Sequence, residues 1–180
     1  MQINKFLVSL SCAVMMLNLS GCVGYQLGSM LPDDIRTVCI PTFVNKTDEA
    51  NIEIETTQAA IREFQKDGSL QVVSCDEADV ILDVVLKVYD LEPISYGKDR
   101  ETTAEEYRVW ITASYVLRRR ADDTVVSEAP GVRGQSTFEF TGDLSLMKRT
   151  ALPATARDLA HEIVERIVEA WGPAGSGPRS

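Results

Sequence analysis

The chain has 180 residues, and its 18 basic and 27 acidic residues give a formal net charge of -9 at pH 7. This length is sufficient for one domain with a moderate hydrophobic core. The acidic balance argues against nucleic acid as a partner, although it leaves room for a local basic patch.

The N-terminus has the layout of a secretory signal. Lys5 precedes an apolar run over residues 6–19. At about 14 residues the run is shorter than the roughly 20 that a membrane-spanning helix needs. A basic, then apolar, then small-residue order is typical of signal peptides. The following stretch, LSGC at residues 19–22, resembles the lipobox of bacterial lipoproteins.

That resemblance implies cleavage before Cys22 and acylation of this cysteine. We therefore expect a lipoprotein signal peptide at residues 1–21 and a lipid anchor, since two or more acyl chains hold a protein stably on a membrane. Val23 stands where some bacteria use Asp to retain lipoproteins in the inner membrane. The expected location is accordingly the periplasmic side of the outer membrane. Removing Lys5 with the signal moves the net charge from -9 to -10.

The first half of the remaining chain predicts a tether, two short strands and a helix. Residues 22–36 are rich in turn formers and read as a lipidated tether. The helix has apolar positions near one face and Asp67-Gly68 at its end. The predicted elements are a strand at 37–43, a helix at 51–66 and a strand at 70–75.

The second half predicts a sheet and a long final helix. A strand that begins at Val80 alternates, with the apolar set Val80, Leu82, Val84, Leu86 and Val88 on one face. Residues 91–106 form a long polar loop, which is usually functional or mobile in a compact domain. The remaining predictions are a strand at 107–117, a charged turn at 118–123, a short strand at 125–126, a break at 129–134, a strand at 136–140, an amphipathic helix at 152–171 and a flexible tail at 172–180.

This order predicts an α+β fold. Two helices with apolar stripes pack on one face of a mixed four- to five-stranded sheet, which gives a two-layer sandwich. We expect a single domain over residues 37–171.

Two cysteines remain once Cys12 leaves with the signal and Cys22 is acylated. In an oxidising periplasm Cys39 and Cys75 are candidates for a disulfide. Both fall in predicted strands, where they serve equally well as small buried hydrophobes.

Motifs for catalysis or metal binding are lacking in the sequence. His161, the single histidine, has only carboxylates as helix neighbours and reads as a surface residue. Cys-x-x-Cys, G-x-S-x-G and Gly-rich phosphate motifs do not occur. We expect no catalytic residue, no metal, no cofactor and no enzymatic activity.

The basic residues have two interpretations. Arg118, Arg119 and Arg120 face acidic residues across the predicted turn, and Lys98 and Arg100 lie in the polar loop. They are either solvated charges or contacts to anionic lipid.

Several stretches together resemble the lipopolysaccharide-assembly lipoprotein family LptE. The family reads approximately C-G-Y-x-L after its lipidated cysteine, and here Cys22 is followed by Val23 and then by GYQL at 24–27. The inserted valine is a departure. VCIPTFVNKT at 38–47 fits the family's V-x-I-P-x-F-x-N-x-T pattern. Weaker matches follow, at Thr57, Ala59, Glu63, Phe64, Ser95, Tyr96 and residues 107–109 and 112–114.

The resemblance implies a non-enzymatic outer-membrane lipoprotein that plugs and helps to assemble a large LptD-like β-barrel translocon. Its implied partners are that barrel, lipopolysaccharide and the membrane. Lys98, Arg100, Arg118, Arg119 and Arg120 are the candidates to meet lipid phosphates, whereas Arg108, a family match, lies on a strand and suits sheet packing. The alternative is a non-enzymatic periplasmic adaptor lipoprotein for a transporter or a peptidoglycan synthase.

Overall fold

The computed structural model describes Pro32 and residues 34–96, 104–139 and 142–169. The helices are α1 (Ile52–Asp67) and α2 (Leu144–Glu169). The strands are β1 (Thr37–Cys39), β2 (Val44–Asn45), β3 (Gln71–Val72), β4 (Val80–Tyr96), β5 (Ala104–Arg119) and β6 (Val125–Glu139).

The predicted α+β sandwich is confirmed. The sheet order is β3-β1-β4-β5-β6, and β2 also pairs with β4. The short strands pair in parallel, whereas β4, β5 and β6 form an antiparallel meander. One core cluster joins both helices to the same sheet face, and its largest members include Phe64, Leu82, Ile111 and Ile163.

Helix α1 lies where the sequence predicts it. Ile52, Ala59, Ala60 and Phe64 are buried as expected for one apolar stripe. Gly68 ends the helix in the left-handed conformation at φ 77°, and its N–H donates to the Phe64 carbonyl at 3.0 Å. Glycine suits this position because it has no Cβ to oppose a positive φ.

The strands around α1 are shorter than predicted. The strand expected at 37–43 stops at Cys39, because Pro41 has no N–H to donate and the Phe43 N–H bonds to Thr57 Oγ1 instead. The strand expected at 70–75 is reduced to β3, and Cys75 lies in a turn.

Strand β4 contains a bulge that the alternation does not predict. The register against β5 shifts between Leu86 and Val88. An extra residue moves every later side chain to the other face. Val88 is therefore 42% exposed, and Tyr89 takes the buried position that was predicted for Val88.

The polar loop predicted at 91–106 is largely strand. Strand β4 continues to Tyr96 and β5 begins at Ala104, so the pairing runs on through Glu92 opposite Arg108. We call this outer part of the hairpin, residues 92–96 and 104–106, the arm. Its sequence has few apolar residues on either face.

The break predicted at 129–134 is also wrong, because β6 runs through it. Ala129 pairs with Tyr115 and Val132 with Ala113, so Pro130 and Gly131 form a bulge within one strand. Phe138 is half-buried against the core as part of this strand.

Helix α2 begins eight residues before the predicted start at Leu152. Asp143 caps it, since its Oδ1 accepts from the N–H groups of Ser145 and Leu146 at 2.8 and 3.1 Å. The helix continues through Pro153, which is exposed. Its predicted stripe is buried at Ala156, Leu159, Ile163 and Ile167, while Leu152 is half-buried and Trp171 lies outside the described residues.

Candidate functional site

The junction between the tether and the domain is fixed by several contacts. Cys22, the predicted lipidation site, lies outside the described residues, and the described chain enters the domain over residues 34–37. Ile35 is buried, and Asp34 forms an ion pair with Arg119. The tether thus meets the sheet at the end where β5 turns into β6.

Asp79 holds the same junction from the turn before β4. Its Oδ2 accepts from the Arg36 N–H, the Thr37 N–H and Thr37 Oγ1 at 3.0, 3.0 and 2.7 Å. These hydrogen bonds, together with the positive charge of Arg120, lower the pKa of Asp79 below its ordinary value. The carboxylate therefore acts as a charged clamp on residues 36–37.

Cys39 and Cys75 are bonded as a disulfide beside this clamp. Their Cα atoms are 4.8 Å apart, within the usual range for such a bond. Cys39 is buried and Cys75 is exposed, so the bond ties β1 to the surface turn that carries Asp79.

The three arginines of the basic turn each have partners within the chain. Arg118 contacts Asp83 at 3.1 Å and Asp123 at 3.8 Å. Arg119 pairs with Asp34, which raises the pKa of the arginine and lowers that of the aspartate. Arg120 donates from Nε to the Ala78 carbonyl at 2.8 Å. These contacts favour a structural role for the turn.

Lys98 and Arg100 lie outside the described residues, between β4 and β5. Strand β4 ends at Tyr96 and β5 begins at Ala104, and Arg118 lies 14 residues further along β5. At about 3.3 Å per residue this places the two ends about 45 Å apart. The basic turn and the strand ends that flank the segment with Lys98 and Arg100 are therefore at opposite ends of the β4–β5 hairpin.

Cationic side chains also line the sheet face that carries no helix, which we call the open face. It is formed by the outward residues of β4, β5 and β6. Lys87 reaches across it and donates to the Pro130 carbonyl at 2.9 Å, and the Arg133 guanidinium lies 5.5 Å from the Trp110 ring centre. Arg108 contacts Glu92 at 3.3 Å, which agrees with the packing role expected for it.

Arg133 was missed as a candidate because it lies in the segment interpreted as a break. The alternation of residues 132–138 could have predicted a strand, but Pro130 and Gly131 just before it are typical of a break.

His161 lies on the surface, as expected. Its Nδ1 is 3.2 Å from Glu63 Oε1, and Lys66 contacts the same carboxylate at 3.0 Å. Partial burial raises the pKa of Glu63, but the hydrogen bonds from Lys66 and His161 outweigh it and the net shift is downward. Within the described ranges, no group of three or more His, Cys, Asp or Glu side chains is placed to hold a metal ion.

None of the helices in the part of the chain that the structure describes is long and apolar enough to cross a membrane.

Comparison with protein families identifies one match. Residues 35–170 match the sequence model described as LptE, lipopolysaccharide-assembly. The match begins at the tether junction and ends just beyond α2. No curated protein matches the chain.

The chain is similar to several solved structures at low sequence identity. Protein XCC0632 from Xanthomonas campestris is 10% identical, with 76% of this chain and 86% of that chain covered and a TM-score of 0.54. The hypothetical protein CT253 from Chlamydia trachomatis is 10% identical, with coverages of 77% and 98% and a TM-score of 0.49. An uncharacterized lipoprotein B from Nitrosomonas europaea is 16% identical, with coverages of 81% and 88% and a TM-score of 0.48.

Proposed function

Because this chain belongs to the LptE lipopolysaccharide-assembly family, we propose that it is an outer-membrane lipoprotein that plugs and helps to assemble a large β-barrel translocon. That barrel delivers lipopolysaccharide to the outer leaflet. The observation that carries the proposal is the family match over residues 35–170, which spans the whole two-layer domain. The protein acts here by binding, without catalysis.

Acylation of Cys22 supplies the anchor in this proposal. The tether of residues 22–36 leads from the membrane to the domain, and the contacts of Asp34 and Asp79 support a fixed direction of entry. A fixed junction of this kind determines where the tether leaves the domain.

Lys98 and Arg100 are the cations that we propose to meet lipid phosphates, through charge-assisted hydrogen bonds. They lie on the segment that joins the two strands of the arm. Arg118, Arg119 and Arg120 were equal candidates in the sequence, but their carboxylate and carbonyl partners support structural duties for them.

The anchor is tested by a matched pair of cysteine variants. Cys22→Ala removes the acylation site, so we expect the protein to appear in the soluble periplasmic fraction or to remain as an uncut precursor. Cys12→Ala changes a cysteine that leaves with the signal, so anchorage should be unchanged. Recovery of Cys22→Ala in the outer membrane at the mature size and at the wild-type level would overturn the lipidation claim.

Depletion of the protein tests its role in transport. We expect depleted cells to lose lipopolysaccharide from their surface and to retain it in inner fractions, as measured on intact cells and on separated membranes. Wild-type protein supplied in trans should restore the surface level. Unchanged surface lipopolysaccharide during depletion would instead favour the adaptor role.

A further inference from the structure

An apolar groove lies between the first half of α2 and the far end of β6. Its volume is about 460 Å³. Leu146 at its rim is 52% exposed, although most large apolar side chains of the domain are buried. The groove is lined mainly by Phe138, Leu146, Met147, Thr150, Ala151 and Ala154.

Strand β6 is the outer strand of the sheet, and its central part is protected by side chains of α2. The Gln135 N–H donates to Asp158 at 2.8 Å, and Arg166 reaches the Gly131 carbonyl at 3.4 Å. Gly134 lies so close to α2 that an added Cβ would come within 2.2 Å of the Leu159 nitrogen. Such contacts keep other strands from pairing with an exposed edge.

The protection ends where the groove begins. Because the Gln135 N–H faces away from β5 and alternate residues of a strand point the same way, the backbone groups of Thr137 and Glu139 also face outward. No described residue bonds to their N–H groups. The two amides border the groove, which Thr137 and Glu139 help to line.

We propose that this edge receives an extended segment of the β-barrel partner, which adds to β6 beside Thr137 and Glu139 and places an apolar side chain in the groove. This inference rests on the proposed function. Strand addition uses the open main-chain groups for affinity and the pocket for side-chain selection. A Val, Leu or Phe of the incoming strand matches the apolar lining.

The chain's own tether is too short to take this place. It is held at Arg119 through Asp34, whereas Glu139 pairs with Glu106, 13 residues away along β5. That separation is about 43 Å at about 3.3 Å per residue. The twelve residues 22–33 span at most about 43 Å when fully extended, so even a straight tether would bring only its acylated end, Cys22, to this edge. The tether is therefore not the occupant.

A proline at Thr137 tests the main-chain contact. Thr137→Pro removes the outward N–H, and proline is tolerated on a sheet edge where that N–H faces solvent. Thr137→Val keeps the N–H and the β-branched shape. We expect the proline variant to recover the barrel about tenfold less well than wild type in mild detergent, and the valine variant to recover it within about twofold.

A charge at the groove tests the side-chain contact. Leu146→Glu places a carboxylate on the apolar rim and should reduce recovery of the barrel. The matched control is Ile54→Glu, which changes a similarly exposed apolar residue on α1. Equal recovery with both variants would contradict a role for the groove.

Amide exchange on the wild-type protein gives a readout that needs no variant. In the complex with the barrel, the Thr137 and Glu139 amides should exchange more slowly than in the full-length lipoprotein alone. Unchanged exchange overturns the proposal, as does protection already present without the barrel, which would mean that the chain covers its own edge.

The recovery experiments separate two kinds of failure. If wild-type protein recovers no barrel, the proposed function fails. If Thr137→Pro recovers the barrel as well as wild type does, only strand addition fails.

Discussion

At the scale of single residues, Asp79 is the main polar determinant of the tether junction. One carboxylate oxygen satisfies two backbone N–H groups and a hydroxyl, and the backbone carbonyl of the same residue accepts from the Arg120 N–H. The sequence around Asp79 does not predict this role. Its function depends on β1 and β4 lying side by side, which local sequence does not reveal.

Loss of this carboxylate should destabilise the domain. We expect Asp79→Ala to lower the free energy of unfolding by about 1–3 kcal/mol, because three donors lose their acceptor. Asp83→Ala, which removes an exposed ion pair, should cost less than about 1 kcal/mol. Urea titration of both variants measures the difference, and equal losses would contradict the clamp.

The same comparison has a defined pH dependence. The pKa of Asp79 is lowered in the folded protein from its ordinary value of 3.8, so its contribution is fully present above that pH. The contribution is lost as the pH falls from 3.8 through the lowered pKa. The gap in stability between wild type and Asp79→Ala should therefore narrow in that acidic range. A gap that is constant down to low pH would exclude ionisation as its cause.

Two glycines of β6 should differ in how much stability the protein loses when each is replaced by alanine. Gly134→Ala would place a Cβ within 2.2 Å of the α2 backbone, so helix and strand must separate. We expect a loss of about 3 kcal/mol or more, at the upper end of typical overpacking. Gly131→Ala meets nothing within 4 Å and should leave stability nearly unchanged. Thermal unfolding distinguishes them, and similar midpoints would show that α2 does not approach β6 so closely.

At the scale of elements, regular patterns were predicted well and interruptions were not. The 3.6-residue period located α1, and alternation located the inward face of β4 at Leu82, Val84 and Leu86. The bulges at Lys87 and at Pro130–Gly131 were not predicted, since each is stabilised by pairing with another strand. The arm was interpreted as a loop because its strands are polar on both sides.

Helix α2 illustrates how tertiary packing outweighs local propensity. The predicted helix starts at Leu152, next to Pro153, yet the helix runs through the proline from Leu144, with Met147 and Ala151 buried on the N-terminal side. Proline supplies no N–H for the carbonyl four residues earlier. The packing of the first two turns against the sheet offsets that loss.

Replacing this proline should strengthen the helix. Pro153→Ala restores the N–H at an exposed position, and we expect a gain of about 1–3 kcal/mol in the free energy of unfolding. The matched change Arg149→Ala, one turn earlier and also exposed, should alter stability by less than about 0.5 kcal/mol. Denaturant titration measures both, and a destabilised Pro153→Ala would mean that the helix needs its proline.

At the scale of the whole molecule, the fold separates the tether from the arm. The Asp34 junction and the basic turn lie at one end of the β5 strand, and the segment with Lys98 and Arg100 joins the strands at the other end. The fold class and the family followed from sequence motifs and periodicity. The separation of the basic residues into two groups did not, because it depends on the length of the hairpin.

The role in barrel assembly is tested by recovery of the tagged protein from outer membranes in mild detergent, followed by mass spectrometry. We expect stoichiometric recovery of one large β-barrel protein. Recovery of an inner-membrane transporter or a peptidoglycan synthase, with no barrel, would contradict it and establish the adaptor role instead.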